Sequence, residues 1–362
     1  SIPLGTATFK THHMMGFLIL KLQWSFFVTE SMKNIIVVFL LVFFFSCNKN
    51  EVVKNSEWLF VACEGNYGSS NGSIYMINQF GEVDSIPNLG DVVQSVKVYN
   101  DKLFVLVNNS HKIHIYNINS EGLSFPGITI DLIDSSPREM EIINNQLFFT
   151  NWNSNDVKYL DLFNYKVDRL FEIDGLPEDI INAGEDIYVA VNMKKDYSSS
   201  DKVIKYNLNE GVIKNTISVG NGPLDLEYKN ESLYVSRTYY DENFSAYHGT
   251  SEVSKNSIVK IKDYGKNTPC GGSIHNIENT IYRSAFGGIV ELDDNLELIL
   301  NNKIGDFNHS EVYSVKYLDN KIYFGLTDYN NLNQVRIYSK DNSEIKYYDV
   351  GIIPGDFAIW KK

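Results

Sequence analysis

The sequence contains few cysteines, few prolines and few of the short motifs that mark common enzymes. Three cysteines in 362 residues do not make a disulfide framework. Eight prolines stand against 23 tyrosines and 21 phenylalanines, a balance that suits antiparallel sheet, where aromatic side chains fill pleated faces. No P-loop, H-E-x-x-H or C-x-x-C motif occurs. Composition therefore favours an aromatic-rich β-protein and gives little support to catalysis.

Basic residues are also scarce. The formal net charge is −13, and without residues 1–46 the chain has 29 basic and 44 acidic residues. A strongly acidic surface without a basic cluster excludes nucleic acid and an anionic membrane face as ligands.

The amino-terminal residues predict export and a lipid anchor. From Met32 one basic residue is followed by an apolar run from Ile35 to Phe45 and then by Ser46-Cys47, the length and order of a signal peptide. The ending resembles the lipobox of bacterial lipoproteins, which implies lipidation of Cys47. We expect residues 1–31 to be upstream sequence, 32–46 the signal peptide and 47–56 a polar tether.

The alternative, an uncleaved signal anchor, stays open. The expected location is the cell envelope, as an outer-membrane lipoprotein facing either the periplasm or the outside.

A repeat of about forty residues organises the rest of the chain. Thr216–Arg237 reads as a strand, a Gly-Asn-Gly-Pro turn, a strand with an acid after the proline, a polar turn and a Leu-Tyr-Val strand. Seven copies align, with anchor residues at Ser95, Glu139, Asp179, Asp225, Gly271, Ser314 and Asp356. A period in the low forties with about four strands per unit is typical of a β-propeller blade.

The two ends of the repeat region complete each other. Trp58–Val61 matches the Leu-Tyr-Val strand without an inner strand before it, and Asp356–Trp360 is an inner strand with nothing after it. We therefore predict an all-β protein, a seven-bladed β-propeller over residues 57–362 with four-stranded antiparallel blades. The carboxy-terminal strand is expected to join the amino-terminal blade and close the ring.

Several segments resemble a known repeat family. Phe148–Asn151 and Tyr234–Ser236 look like its Tyr-Val-Thr-Asn motif, Val157–Asp161 like the following strand, and Val219–Pro223 like its Val-Gly-x-x-Pro turn. On these motifs the chain resembles the YVTN/YncE-like β-propeller family, which implies the fold. Lipid-anchored members include proteins that capture cobalamin for a TonB-dependent transporter.

Aromatic residues gather in the segments predicted to be loops. Arg237–Asn256 reads as a loop of about twenty residues, and long loops on rigid scaffolds usually bind something. Exposed aromatic rings with nearby carboxylates suit a flat or sugar-like organic ligand. The candidate residues are Tyr67, Trp152, Tyr197, Arg237, Tyr239, Tyr240, Tyr247, His248 and Tyr329. Alternatively, these rings only pack against neighbouring loops.

Acids recur at one position of the repeat, in Glu139, Asp179, Asp225 and Asp356. Because the position is repeated, we predict that these acids cap their own turns by accepting backbone N–H bonds, rather than forming a metal-binding ring. The preceding position varies from copy to copy, and a ligand contact breaks a repeat. Gln94, Arg138, Glu178 and Tyr313 are therefore predicted ligand contacts.

The remaining candidates for chemistry are few. Cys63 and Cys270 are predicted to be small buried residues in blades that are not neighbours, and His114 to be structural. His248 and His309 are placed on the loop face without a partner for acid–base chemistry.

The sequence favours a monomeric, non-catalytic binding module, without cofactor or metal, for a small organic ligand or an envelope partner protein. Two alternatives remain: a cobalamin-type capture subunit of a TonB-dependent uptake system, and a metal-dependent lactonase-like or lyase-like propeller enzyme.

Overall fold

The computed structural model describes residues 56–266 and 272–362. Over these residues the chain forms 28 β-strands in seven four-stranded antiparallel sheets, each of which is one blade. The described part of the chain has no helix that could cross a membrane. The predicted seven-bladed β-propeller is confirmed. The segments predicted as upstream sequence and signal peptide, and almost all of the tether, including Cys47, lie outside the described residues.

Each blade runs from an innermost strand at the axis to an outermost strand at the edge. The innermost strands of blades 1 to 7 are β28 (Pro354–Lys361), β4 (Val93–Tyr99), β8 (Pro137–Ile143), β12 (Leu176–Ala183), β16 (Pro223–Lys229), β20 (Ile274–Ile277) and β24 (Val312–Leu318). The second strands are β1 (Glu57–Cys63), β5 (Lys102–Val107), β9 (Gln146–Asn151), β13 (Asp186–Met193), β17 (Ser232–Tyr240), β21 (Thr280–Ala285) and β25 (Lys321–Thr327). The third strands are β2 (Gly72–Asn78), β6 (Lys112–Asn119), β10 (Asp156–Asp161), β14 (Ser199–Asn207), β18 (Ala246–Val253), β22 (Gly288–Leu292) and β26 (Asn333–Tyr338). The outermost strands are β3 (Val83–Gly90), β7 (Gly122–Asp131), β11 (Val167–Glu172), β15 (Val212–Ser218), β19 (Val259–Lys266), β23 (Leu298–Ile304) and β27 (Glu344–Asp349).

The two ends of the repeat region close the ring as predicted. Strand β28 pairs antiparallel with β1, with Trp58 opposite Trp360 and Phe60 opposite Ala358. The indole Nε1 of Trp360 also donates a hydrogen bond to Asp101 of blade 2, at 2.9 Å. One blade therefore contains both ends of the propeller and ties them to the next blade.

The apolar core is divided among the spaces between adjacent blades. The cluster between blades 1 and 2, for example, combines Trp58, Phe60 and Ile74 with Leu103 and Val105. Because each second strand is covered on both faces, it reads as a continuous apolar run, such as Leu103–Val107, rather than as an alternating pattern. Cys63 is fully buried in such a space and is a free thiol, as predicted, whereas Cys270 lies outside the described residues.

His114 is also structural, as predicted. It lies in β6, is buried, and its Nδ1 is 2.9 Å from Thr129 Oγ1 of the neighbouring strand.

The repeated acids connect neighbouring blades. Asp179 accepts the N–H of Leu226 in the next blade, and Asp225 accepts the N–H of Ile274 in the blade after that, each at 2.8 Å. Asp356 likewise accepts the N–H of Val96, at 2.8 Å. The prediction that these acids accept local backbone N–H bonds is correct for Asp179 and Asp225, which also accept the N–H of the next residue, Ile180 and Leu226, but it did not include the contacts between blades. We call this position of each inner strand the clasp position.

The sixth blade shows the clasp position most clearly. Ser273 Oγ accepts the N–H of Val315 at 3.3 Å, as the acids do elsewhere. The equivalent of Asp225 is therefore Ser273 rather than the predicted anchor Gly271, which lies outside the described residues. The clasp residues are Asp356, Ser95, Glu139, Asp179, Asp225, Ser273 and Ser314.

Burial changes the protonation of the clasp acids. It raises the pKa of Asp225 to about 7 and the pKa of Asp179 well above its ordinary value, and the Asp225 charge raises the latter further. The nearby Asp225 charge therefore favours the protonated form of the Asp179 carboxyl group. Burial, with the nearby Asp356 charge, also raises the pKa of Glu139.

Closure by β28 leads to a first prediction. Trp360 is 3% exposed, so Trp360→Ala removes a large side chain from the space between blades 1 and 2 together with the bond to Asp101. The free energy of unfolding should fall by about 3–5 kcal/mol. Denaturant unfolding measures this free energy. The control is Phe163→Ala, because Phe163 is 81% exposed and its substitution should change the free energy of unfolding by less than about 0.5 kcal/mol. Equal losses in the two variants would show that closure depends on other contacts.

The raised pKa of Asp225 leads to a second prediction. The pKa of Asp225 rises from 3.8 in the unfolded chain to about 7 in the folded protein, so its neutral form is stabilised by folding. Its contribution is present below pH 4 and is lost as the pH rises through about 7.

Asp225→Asn keeps an acceptor for backbone N–H groups and an N–H donor for Asp179 without needing a proton. Urea unfolding between pH 5 and 9 should show a shallower decline for this variant, by about 1–3 kcal/mol across the range. Asp294→Asn, at an exposed position, should keep the wild-type slope. A wild-type slope in Asp225→Asn would mean that other groups cause the pH dependence.

Candidate functional site

The seven innermost strands enclose a polar cavity of about 410 Å³ on the axis of the ring. Its entrance lies on the face formed by two sets of loops, those leading into each innermost strand and those joining second to third strands. We call this the loop face. Backbone hydrogen bonds join the two sets, for example Thr238 N–H to Gly222 O at 2.8 Å, which confirms that they share one face.

The residue before each clasp position stands at this entrance. In blades 1 to 7 it is Gly355, Gln94, Arg138, Glu178, Leu224, Gly272 and Tyr313. Glycine and leucine occupy three blades, so the fold itself does not need a polar group here. The four polar residues are those predicted as ligand contacts.

Arg138 connects three of the blades. It donates to Glu178, with Nε 3.0 Å from Oε1, and to Gln94 Oε1 at 2.6 Å. Its guanidinium also lies 4.4 Å from the centre of the Trp152 ring. Glu178 and Gln94 are buried, and the Glu178 charge raises the pKa of Arg138 against the effect of its own burial.

Tyr313 completes the entrance from blade 7. Its hydroxyl donates to Glu64 Oε1 at 2.8 Å, and its ring lies edge-on to Tyr329, with centroids 6.2 Å apart. Burial raises the pKa of Glu64 to about 7, while the Tyr313 hydroxyl and the Arg138 charge hold it down. We call Glu64, Gln94, Arg138, Glu178 and Tyr313 the channel mouth.

Glu64 is the residue that the sequence analysis missed. It follows β1, and its N–H donates to Ile353 O, just as the Trp152 N–H donates to Ser136 O in blade 3. Both residues therefore occupy one repeat position that differs between blades, a signal that could have identified Glu64. A Cβ on Gly355 would lie 2.9 Å from Glu64 Oε1, so this glycine leaves room for the carboxylate.

Two other predicted residues lie beside the mouth. Trp152 and Tyr197 line a second cavity of about 220 Å³ together with Lys195 and Asp134. Because Trp152 also contacts Arg138, this cavity adjoins the channel mouth in blade 3. Tyr67, in contrast, lies in the loop after β1 and is 78% exposed.

The prediction of a loop of about twenty residues in blade 5 is wrong. This segment forms two paired strands, β17 and β18, joined by a tight turn at 241–245. Tyr239 and Tyr247 stack across this hairpin, with centroids 5.5 Å apart.

The hairpin removes two residues from the predicted binding face. Arg237 is 1% exposed and bonds to Asp263 at 2.6 Å, and His248 is 1% exposed with Nδ1 3.2 Å from Thr238 Oγ1. Both are interior residues of the sheet. Tyr240 stays on the surface at 60% exposure, and His309 lies on the loop face as expected.

One sequence match to a catalytic motif has no matching structure. Gly68–Gly72 spells G-x-S-x-G, but it forms the turn between β1 and β2. A nucleophile elbow joins a strand to a helix, so this turn is not one.

Deeper in the cavity both lining lysines are paired with acids. Lys316 bonds to Asp356, Lys97 to Glu141, and His275 Nε2 donates to Val315 O at 2.8 Å. Burial lowers the pKa of His275, which therefore stays neutral. Among the described residues no group of three His, Cys, Asp or Glu side chains is arranged to hold a metal ion. The polar side chains that differ from blade to blade therefore lie at the channel mouth, where acidic, basic, amide and aromatic groups meet.

Comparison with known proteins identifies the fold. No protein-family model matches the sequence, and no curated protein is significantly similar to it. Among solved structures, a proposed 6-phosphogluconolactonase from Bacteroides fragilis is similar with a TM-score of 0.57 and 13% identity, over 85% of this chain and 99% of that one.

Two further structures are similar over most of the chain. A hypothetical selenium-binding protein from Sulfolobus tokodaii matches with a TM-score of 0.60 and 11% identity, over 85% of this chain and 92% of its own. Apo AztD from Citrobacter koseri matches with a TM-score of 0.55 and 8% identity, over 85% and 98%. At such identities the similarity is one of fold: the protein is a seven-bladed β-propeller with structural neighbours of the 6-phosphogluconolactonase-like kind.

Proposed function

We propose that the protein is a binding module that holds a small polar organic molecule at the channel mouth. The observation that carries the proposal is the convergence of Glu64, Gln94, Arg138, Glu178 and Tyr313 from five different blades. Three blades have glycine or leucine just before the clasp position, namely Gly355, Leu224 and Gly272, so the fold does not require a polar group there.

The energetics of the mouth support a binding role. Buried charged groups cost desolvation free energy that a salt bridge only partly offsets, so Arg138 and Glu178 are a poor means of stabilising the fold. Glu64, with its raised pKa, is also held in an unfavourable environment. Such groups concentrate where a ligand is recognised.

The size and lining of the site define the ligand class. A cavity of about 410 Å³ lies within the range of small-molecule sites. The entrance offers donors from Arg138, acceptors from Glu178 and Glu64, and the rings of Trp152 and Tyr329. A ring-shaped molecule with hydroxyl, carboxyl or amide groups would satisfy both kinds of contact.

Glu64 favours one second candidate, hydrolysis of a lactone. A carboxyl group with a pKa of about 7 is suited to general acid–base catalysis near neutral pH. The similarity in fold to the proposed 6-phosphogluconolactonase from Bacteroides fragilis makes a sugar lactone a reasonable substrate to test. The described residues offer no ready metal site for a metal-dependent version of this reaction.

We also place the module in the cell envelope, anchored through Cys47. The support is the signal-peptide pattern of residues 32–46 and the lipobox-like Ser46-Cys47. Cells fed alkyne-tagged palmitate should label the wild type, and Cys47→Ala should abolish the label. Equal labelling of both would refute the anchor.

Ligand binding gives the main prediction. The purified protein is screened by thermal shift against cyanocobalamin, haem, oligosaccharides and 6-phosphogluconolactone, because a ligand bound by the folded state raises the Tm. For the compound that does so, Tyr313→Phe removes one hydroxyl and should weaken binding about 3–10-fold in calorimetry.

Tyr317→Phe is the matched control, since Tyr317 lies on the same strand and its hydroxyl contacts Asn320, in the turn at the other end of β24. Equal effects of the two variants would place the ligand elsewhere. Glu64→Gln separates the candidates: a binding module keeps most of its affinity, whereas a lactonase loses turnover of the lactone while still binding it.

A further inference from the structure

Three aromatic residues on the loop face adopt a backbone conformation that bulky residues avoid. Tyr197, Phe244 and Phe286 have φ angles of 65°, 59° and 52°. Their side chains are 71%, 87% and 45% exposed. They stand in the turns between second and third strands of blades 4, 5 and 6. We call them the rim aromatics.

The conformation is unfavourable and is not offset by burial. In the left-handed region Cβ approaches the following carbonyl oxygen, so glycine, asparagine and aspartate normally occupy it. A bulky residue there usually gains free energy from packing. The rim aromatics leave between 45% and 87% of their surface in solvent, so packing offsets less of the cost than it does for a buried residue.

Identical turns on the opposite face of the ring show what the fold itself requires. The turns containing Tyr197 and Phe244 are closed by two backbone bonds, for example Lys194 N–H to Ser198 O and Tyr197 N–H to Lys194 O. The same pair of bonds closes opposite-face turns in which the left-handed residue is Gly81, Ser257 or Asn342. Small or polar residues are therefore sufficient.

The two-residue turn at Phe286-Gly287 gives the same result. Opposite-face turns of this length place Asn144-Asn145, Asn230-Glu231, Glu278-Asn279 and Asp319-Asn320 in the left-handed region. Two bulky residues of the opposite face do adopt it, Leu296 and Tyr165. Leu296 is 1% exposed and Tyr165 packs against the cluster between blades 2 and 3. Packing explains these two residues and does not explain the rim aromatics.

A contact outside the chain accounts for residues that weaken the fold and remain exposed. The rim aromatics stand in three adjacent blades and none of them lines the axial cavity, so a molecule small enough for the channel mouth does not touch all three. The occupant must be a macromolecule.

Charge indicates its chemistry. In the described loops of this face six carboxylates are exposed against two lysines, Lys194 and Lys195. The six are Asp134, Asp174, Asp196, Glu242, Asp306 and Asp328. An acidic surface repels both anionic lipid and the same face of a second copy, and attracts a basic surface.

From these observations we infer that the rim aromatics are anchors for a partner protein whose docking surface is basic and has apolar pockets for them. Aromatic side chains commonly supply most of the binding free energy at protein interfaces. This surface meets the small-molecule site only at Tyr197, which lines the second cavity with Trp152, and its variants leave the five residues of the channel mouth unchanged.

The test begins with stability. Tyr197→Asn, Phe244→Asn and Phe286→Asn, combined in one rim variant, should raise the Tm by a few degrees because asparagine tolerates the left-handed region. The control is Phe80→Asn with Phe163→Asn, two exposed opposite-face aromatics outside that region, and its Tm should not rise. A rim variant no more stable than wild type would overturn the argument from strain.

Binding is tested with the full chain in its own cells. Benzoylphenylalanine replaces the exposed Glu242 beside Phe244, and the protein that cross-links to it is purified. Its affinity for wild type and control should be equal, should fall about 100-fold or more for the rim variant, and should weaken with added salt.

Several outcomes would overturn the proposal. They are equal binding by the rim variant, no cross-linked protein, sedimentation of wild type but not the rim variant with liposomes, and a wild-type dimer that the rim variant dissociates. The last two would assign the surface to a membrane or to a second copy.

Discussion

The pairing of β28 with β1 is the contact on which the rest of the molecule depends. A ring of blades has no unpaired inner edge only when its last blade is complete, and here the two ends of the propeller supply one blade together. Closure also fixes the axis, since Asp356 of β28 accepts the Val96 N–H and bonds to Lys316 on the other side. The distances between facing residues in the cavity are therefore set by one strand pair.

The axis contains two kinds of position with different roles. Clasp residues repeat because they join neighbouring innermost strands: Asp356, Asp179, Asp225, Ser273 and Ser314 bond to backbone groups, while Ser95 bonds to the side chains of Glu139 and Asp356. The residues just before them do not repeat, because the fold does not require a particular side chain at this position. Arg138, Glu178, Gln94 and Tyr313 could therefore be picked out from their variation alone, although that variation does not by itself show what they bind.

The fold could be predicted from the sequence because the same weak signals recur in seven copies. Each Gly-Pro turn and Leu-Tyr-Val strand is ambiguous alone, but seven in register define the blades and their closure. The misplaced anchor at Gly271 has a local cause: the anchor was placed two residues after the proline, as in Asp225 after Pro223, whereas in blade 6 Ser273 follows Pro269 by four residues.

The extended hairpin of blade 5 could not be predicted for another reason. Its strands extend past their neighbours, so Tyr239 and Tyr247 stack on each other with solvent close by, and the usual apolar alternation is lost. Glu64 was missed because the repeat was aligned on the innermost strand, whereas this carboxylate enters the mouth from the end of a second strand.

The junction between blades 5 and 6 differs from the other junctions. Among the described residues its apolar cluster has three buried side chains, Ile274, Ile281 and Leu292. Arg237 and Arg283 are fully buried nearby, with Arg283 Nη2 3.3 Å from Arg237 O, and burial lowers the pKa of Arg283 to about 10, with the Arg237 charge adding to the effect.

Cooperative units open where apolar contact is least and buried charge is greatest. A closed ring that must open to unfold has an easiest place to do so, and in this ring it is the seam beside the blade 5 hairpin. Amide exchange would then spread outward from blades 5 and 6 in both directions. The pairing of β28 with β1 would be among the last contacts to separate.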